Sequence, residues 1–347
     1  METNWLIRKR TMIKGKLVNN RVSSKKMIAI SVIIAAGLAA IPNILGTYHT
    51  LLLAYGLIFA LAGLGFNLLL GYTGLLSFGH AAFFGVGAYT VAFAARDFGI
   101  TSMELLLALG ILSTFILSLI FGVFCSGLTR IFFAIMCLAL SQVIWVLSNK
   151  LYSITGGSDG MSVKWPSILW FAKYSGDGAF HRFVYDYYYY VLVIFCGVVV
   201  FMWLLCHSPF GKALQAIRDN ETRAQFVGVN IKKCRFISFV ISGSLTGLAG
   251  TLWVPLTGHI TPESLHWPFS GEILFLTLLG GFQSFSGPII GGIAFTYLKA
   301  YAVASTAYWQ FVLGAALLVI VLAMPQGIVG LFSKLLARFM DKKESKQ

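Results

Sequence analysis

Charge is what this sequence has least of. Only 11% of its 347 residues are Asp, Glu, Lys or Arg, against about a quarter in an ordinary soluble domain. With 58% hydrophobic residues and a mean hydropathy of +0.82, the chain has too little polar surface to face water on all sides. A soluble globular protein is excluded. Acidic residues are the scarcer sign, 12 against 26 Lys and Arg, for a net charge of +14. Such an excess suggests nucleic acid until its distribution is read. Eight basic residues lie in 1–26, six in 207–235 and five in 325–347, each beside an apolar run. That is where the cytoplasmic side of a membrane protein collects them. No basic stripe interleaved with aromatics follows, and no nucleic-acid partner is expected.

The motifs of self-contained chemistry are missing too. Gly211-Lys212 is followed by Ala213 and lacks the upstream glycine, so the chain has no P-loop for nucleotide hydrolysis. There is no H-E-x-x-H, which removes one common hydrolase route. The five cysteines (Cys125, Cys137, Cys196, Cys206, Cys234) show no paired spacing and read as small core residues. His259, Glu263 and His266 have ligand-like spacing, but Pro262 and Pro268 surround them and no metal site is expected. Ser77 and His80 lie one helical turn apart without a local orienting acid. Buried acids, the relays of ion-coupled carriers, are also few. Glu104 and Glu272 fall near predicted outer ends, Glu272 in the first turn of a short helix, and Lys299 is placed to snorkel. The chain is therefore read as a non-enzyme that carries no cofactor of its own and draws its energy from elsewhere.

What is present is a series of long apolar runs. They fall at about 27–45, 50–70, 75–95, 103–128, 130–150, 187–206, 235–257, 271–282, 287–304 and 308–324, most of them near the 20 residues that cross a bilayer. The first is read as a retained span rather than a signal peptide, because its basic flank is long and further spans follow. Ten crossings place all three basic segments in the cytoplasm. The fold class is an all-α polytopic membrane protein of about ten transmembrane helices, some of them broken. The chain divides into a basic cytoplasmic extension 1–26, a membrane domain 27–324 and a basic cytoplasmic tail 325–347. An outside segment 151–186 and a cytoplasmic loop 207–234 interrupt the membrane domain.

Two stretches depart from clean spans: Gly71–His80 (GYTGLLSFGH), and Gly280–Pro288 (GGFQSFSGP). Irregular backbone at membrane depth survives only where protein or water satisfies it. Broken segments in both halves of a chain point to a transport pathway; tight helix packing at small residues is the plainer alternative. The expected pathway residues are Gly71, Gly74, Ser77, His80, Gly281, Gln283, Ser284 and Gly287.

The longest polar interruption with helix signals is Ser208–Cys234. Ser208-Pro209 reads as an N-cap and first helical residue. Phe210, Leu214 and Ile217 recur at helical spacing. Asn220 is placed to cap a second short helix, with Thr222 and Gln225 at capping-box spacing.

Three stretches together resemble the membrane permeases of branched-chain amino-acid ABC importers: GYTGLLSFGHAAFFGVGAYT (Gly71–Thr90), RIFFAIMCLALSQ (Arg130–Gln142) leading to TGGSDG, and SPFGKALQAIRDNETRAQFVGVN running on to LLGGFQSFSGPIIGG. The resemblance spans roughly Gly71–Gly292 and is similar to the longer of the two paired permease subunits. Arg130 is followed by Ile131 where the family usually has glycine, and Cys137 stands where threonine is common. The resemblance implies a second permease subunit, two cytoplasmic ATPases that bind the ATP, and a periplasmic or surface substrate-binding protein. It places the chain in the bacterial cytoplasmic (inner) membrane with both termini inside. It makes Ser208–Gly228 the coupling loop, with Phe210, Leu214 and Ile217 entering a groove on the ATPase and Lys212, Arg218, Asp219, Glu221 and Arg223 setting register. Ser158, Asp159 and Lys164 of the outside segment are the expected binding-protein contacts. The implied cargo is a branched-chain or other hydrophobic amino acid; urea or short amides, carried by a close relative of the family, are the alternative. A self-contained secondary carrier is the rival of another class.

Overall fold

The computed structural model describes residues 37–169, 174, 176–324 and 326–332. The expected extension 1–26, most of the expected first span and most of the tail lie outside them. The chain divides into two units, Met1–Gly46 and Thr47–Gln347. In the first, the described residues are helical but for a turn at Ile41 and non-helical backbone at Gly46 (φ 74°). The second carries the rest of the fold.

Eleven long or connecting helices are named here: α1 (Pro42–Asn67), α2 (His80–Asp97), α3 (Met103–Cys125), α4 (Arg130–Lys150), α5 (Ala179–His207), α6 (Pro209–Asp219), α7 (Glu221–Phe226), α8 (Ile231–Thr257), α9 (Trp267–Gly280), α10 (Gly287–Ser305) and α11 (Trp309–Ala323). Two-residue strands β1 (Met161–Ser162) and β2 (His259–Ile260) pair antiparallel. The protein is an all-α polytopic membrane protein. Among the described residues, five helical stretches are long and apolar enough to cross a bilayer alone; Trp267–Gly280 and Trp309–Ile320 are shorter apolar helices.

Burial sorts the spans into centre and rim. Gly46–Thr73 and Ile231–Thr257 are 89% and 78% buried over their most apolar windows, while α3, α4 and α5 are 22–33% buried. The buried pair is therefore the axis of the bundle, and the other three present apolar faces to lipid or to another chain. The reason lies in the small residues of α8. Lipid tails are as apolar as leucine, so helices associate in a membrane through close packing. A side chain at Gly250 would strike the carbonyl of Phe84 on α2, and one at Gly247 would strike Thr114 on α3. Part of the glycine content is thus the tight packing that the sequence offered as the plainer reading.

The outer-run boundaries shift modestly. The expected span 75–95 begins as a helix only at His80, and the expected span 187–206 is already helical from Ala179. The short run 271–282 is the 14-residue α9, about 21 Å long at 1.5 Å per residue and too short for a bilayer core of about 30 Å. It is preceded by a 3-10 turn, Pro262–Leu265, that dips into the bundle: Leu265 lies against Gly85, in the second turn of α2. Glu272 on α9 and Lys299 on α10 form an ion pair (2.6 Å), with Lys299 also 5.4 Å from the Trp309 ring centroid. The charge read as lying in a first helical turn and the charge read as snorkelling neutralise one another, with Glu272 beyond the first turn of α9.

Candidate functional site

At one end of the bundle, four chain segments meet around the end of α1. The first is the π-helical turn Leu68–Thr73 that ends α1, closed by Gly74 in the left-handed conformation. The second is the α9–α10 loop: a side chain at Gly71 would strike the carbonyl of Phe282. The third is Gln326–Gly327, which abuts Gly281, itself at φ 107°. The fourth is α6. The two broken segments of the sequence are therefore in direct contact.

Local chemistry builds α6 and α7 as two separate helices. Ser208 Oγ accepts from Gly211 N (3.3 Å), and Pro209 stands at the first helical position. Asn220 is extended and its Oδ1 accepts from Arg223 N (2.9 Å), which ends α6 and starts α7 in one residue. Both caps sit where the sequence puts them.

The orientation of α6 reverses part of the expectation. Leu214 and Ile217 are 0% and 1% exposed, facing the chain's own membrane domain, and Phe210 is half-buried. Leu214 and Ile217 therefore do not enter a partner's groove; their burial against α5 and the π-turn seats the helix. The outward face carries Lys212, Gln215, Ala216 and Asp219, continued by Thr222 and Arg223. Glu221 is not a free rim charge either. Its carboxylate accepts from Arg235 Nη2 (2.5 Å), and the Arg235 side chain is 5% exposed. Arg218 touches Asp219 at 3.4 Å, but its Nη1 donates to the Gly71 carbonyl (2.5 Å) and its Cγ lies where a Gly74 side chain would go. Two residues that the sequence did not single out, Phe226 and Val227, stand 86% and 84% exposed at the end of α7. An apolar pair in a polar loop was the signal available for them.

The expected pathway residues separate into two groups. Gly71, Ser77, His80, Gly281 and Gly287 are buried, so they do not line open space. His80 is a structural cross-link. Its Nε2 is 2.8 Å from Ser242 Oγ, which donates onward to the Gly65 carbonyl (2.6 Å). The single Ser242 proton is thus committed, Nε2–H is the donor, and Nδ1 accepts from Ser77 Oγ (3.0 Å). The pair reads as α1–α2–α8 packing, not as a nucleophile and base. Gln283 is exposed and Ser284 half-buried in the α9–α10 loop.

Gly74 alone of the expected set lines an apolar groove of about 640 Å³. Its wall is Leu76 and Phe78 from the extended run before α2, Ile131, Ala134, Ile135 and Leu138 from α4, and Trp267 from the start of α9, with Arg130 at one edge. The starts of α2 and α9 lie near one another, since Ala81 N donates to Ser270 Oγ (2.8 Å). An apolar groove beside two helix starts can hold an aliphatic group.

At the other end, the turn-rich run is held by glycines at positive φ (Gly156, Gly157, Gly160) and by Tyr152 Oη donating to Asp159 Oδ2 (3.0 Å). The Asp159 carboxylate pushes the Tyr152 phenol upward. Ser158, Asp159 and Lys164 are exposed there. His259 sits on β2, Glu263 is exposed and His266 stacks on Trp145 (4.5 Å), so the trio is spread out. Among the described residues no three His, Cys, Asp or Glu gather as a metal site. Cys125 and Cys137 do meet, with sulfurs 3.5 Å apart in the α3–α4 core, a contact their spacing did not announce.

Broken helices around a buried axis, an apolar groove and a capped polar loop define a polytopic membrane transport component. A family model described as the permease component of branched-chain amino acid transport systems matches residues 48–322, and the chain belongs to that family. It is 24% identical over 290 residues to the high-affinity branched-chain amino acid transport system permease protein LivM of Escherichia coli (strain K12), covering 79% of this chain and 68% of that one. It is 24% identical over 287 residues to the LivH permease of Salmonella typhimurium, covering 79% and 92%. A probable LivH permease of Methanocaldococcus jannaschii is 27% identical over 165 residues, covering 44% and 49%. No solved structure matches.

Proposed function

We propose that this chain is one membrane permease subunit of an ATP-driven ABC importer for branched-chain or other hydrophobic amino acids. It pairs with a second permease, and ATP is bound and hydrolysed by two separate cytoplasmic ATPase subunits. A periplasmic or surface binding protein delivers and selects the cargo. The chain sits in a bacterial cytoplasmic membrane with its basic loops and termini inside.

The observation that carries this reading is the double-faced loop α6–α7. Its buried face fixes it to the π-turn and α5, and its outward face presents charge beside the exposed Phe226 and Val227. A partner that grips Phe226 and Val227 and reads Lys212, Asp219 and Arg223 at the rim would move the loop as a unit. The groove of Leu76, Phe78, Ile131, Ile135 and Leu138 suits an aliphatic side chain better than a small amide. Its open side, edged by Ile131 (71% exposed) and Ile135 (57%), is where the second permease would complete it. Ser158, Asp159 and Lys164 are accessible for the binding protein.

The test is uptake of labelled leucine by vesicles containing the assembled subunits. Uptake is expected only with ATP inside the ATPase compartment and binding protein outside. Uptake driven by an ion gradient through the purified chain alone would replace this reading with a secondary carrier. Uptake of urea in preference to leucine would correct the cargo.

A further inference from the structure

We infer that Arg218 is the positioning residue through which α6 moves the wall of the cargo groove, by holding the backbone of the π-turn at Gly71 while its stem occupies the space above Gly74. The inference rests on the importer reading and adds to it the residue that carries motion inward from the loop.

The connection is continuous. Leu214 and Ile217 seat α6 on the bundle by burial, which is non-directional and lets a helix slide. Arg218 adds direction, because its Nη1 donates a charge-assisted hydrogen bond to one specific carbonyl. Its target is unusual. Gly71 lies in the π-helical turn that ends α1, and the last carbonyls of a helix lack an intrahelical partner and are open to outside donors. Three residues later the chain turns at Gly74, φ 75°, where an added Cβ would stand 2.8 Å from Arg218 Cγ. Gly74 is also the first residue of the groove wall, followed by Leu76 and Phe78. One side chain thus touches both the end of α1 and the start of the wall. On its far side Gly71 abuts the Phe282 carbonyl, so the same displacement reaches the α9–α10 loop. The two broken segments then act as the moving part between loop and groove, instead of lining the groove along their whole length.

The expected behaviour is a loss of coupling without a loss of assembly. The full chain carrying Arg218→Gln is co-expressed with its partner subunits and reconstituted in vesicles. ATPase co-purification and ATP hydrolysis are retained, and leucine taken up per ATP hydrolysed falls about tenfold, the factor carried by one charge-assisted hydrogen bond. Arg218→Lys recovers most of that ratio, because an ammonium can still donate to the Gly71 carbonyl. Gly74→Ala leaves every Arg218 donor in place, displaces its stem, and lowers the same ratio. An unchanged ratio in Arg218→Gln overturns the inference. So does loss of co-purification at unchanged thermal stability, which would make Arg218 a partner contact. If Arg218→Gln does not accumulate in the membrane, Gly74→Ala decides by the same ratio. A wild-type assembly without ATP-driven uptake overturns the importer reading itself, an outcome distinct from a working wild type with fully coupled variants.

Discussion

Glu221 reaches back across the α7–α8 turn to Arg235, pairing a carboxylate with 39% side-chain exposure to a guanidinium with 5%. The pair is asymmetric, and the asymmetry decides what its loss does. Arg235 cannot deprotonate, and its Nε has no hydrogen-bond partner among the described residues, so Glu221 is the group that makes its burial tolerable.

Glu221→Gln should therefore destabilise the chain itself. Breaking a buried pair costs about 3–5 kcal/mol, and the partial exposure of Glu221 reduces that to about 1–3 kcal/mol. A lower thermal midpoint for the purified chain in detergent is expected, with part of the loss recovered in Glu221→Gln/Arg235→Met. An unchanged midpoint would mean that Glu221 serves only a partner.

Leu214→Asp is expected to fail as an assembly-specific mutation. A carboxylate at a position 0% exposed should cost about 3 kcal/mol or more. The readout is the yield of folded monomer by size-exclusion chromatography before any partner is added. Normal yield with lost ATPase binding would restore Leu214 to the docking face.

Phe226→Ala and Val227→Ser should do the opposite. Both side chains are more than four-fifths exposed, so the midpoint should move by less than about 0.5 kcal/mol equivalent. Co-purification of the ATPase should fall about tenfold or more, as for an apolar anchor at an interface. Equal co-purification by both variants and wild type would move the dock elsewhere on the loop.

His80→Ala should lower stability by about 1–3 kcal/mol, because it removes the buried acceptor of the Ser77 hydroxyl and the donor to Ser242. Residual uptake should track the folded fraction. Full folding with abolished uptake would show that His80 contacts cargo.

Gly281→Ala should be costly in a different way. The backbone is at φ 107° and the new Cβ would meet the carbonyl of Gln326 at 2.5 Å, so strain and overlap together should cost about 2 kcal/mol or more. Faster proteolysis near residue 326 in the variant would check it. An unaltered cleavage pattern and midpoint would show that the loop relaxes freely.

Much of the site was legible because its signals are local. Ser208-Pro209 and Asn220 specify two capped helices through bonds to residues three positions away, and they form as read. The broken segments were legible from their glycines. The role of those glycines was not. Gly71 and Gly281 looked like pathway lining, yet each is filled by a carbonyl from a segment far along the chain. The docking stripe misled for a related reason. Phe210, Leu214 and Ile217 announce a buried face, but periodicity does not say whether the cover is another protein or the same one.

The sequence alone determined that this is a multi-pass membrane protein of a permease family, where its helices run, and that one polar loop breaks the pattern. Hydropathy, caps and family motifs are properties of contiguous residues, and contiguous residues are what a sequence records. Only the tertiary structure decided that α6 turns its apolar face inward, that Glu221 is spent on Arg235, and that Arg218 holds Gly71 across 147 positions of chain. Those pairings follow from the approach of helices through small residues such as Gly247 and Gly250 on α8, and that approach is set by the whole bundle.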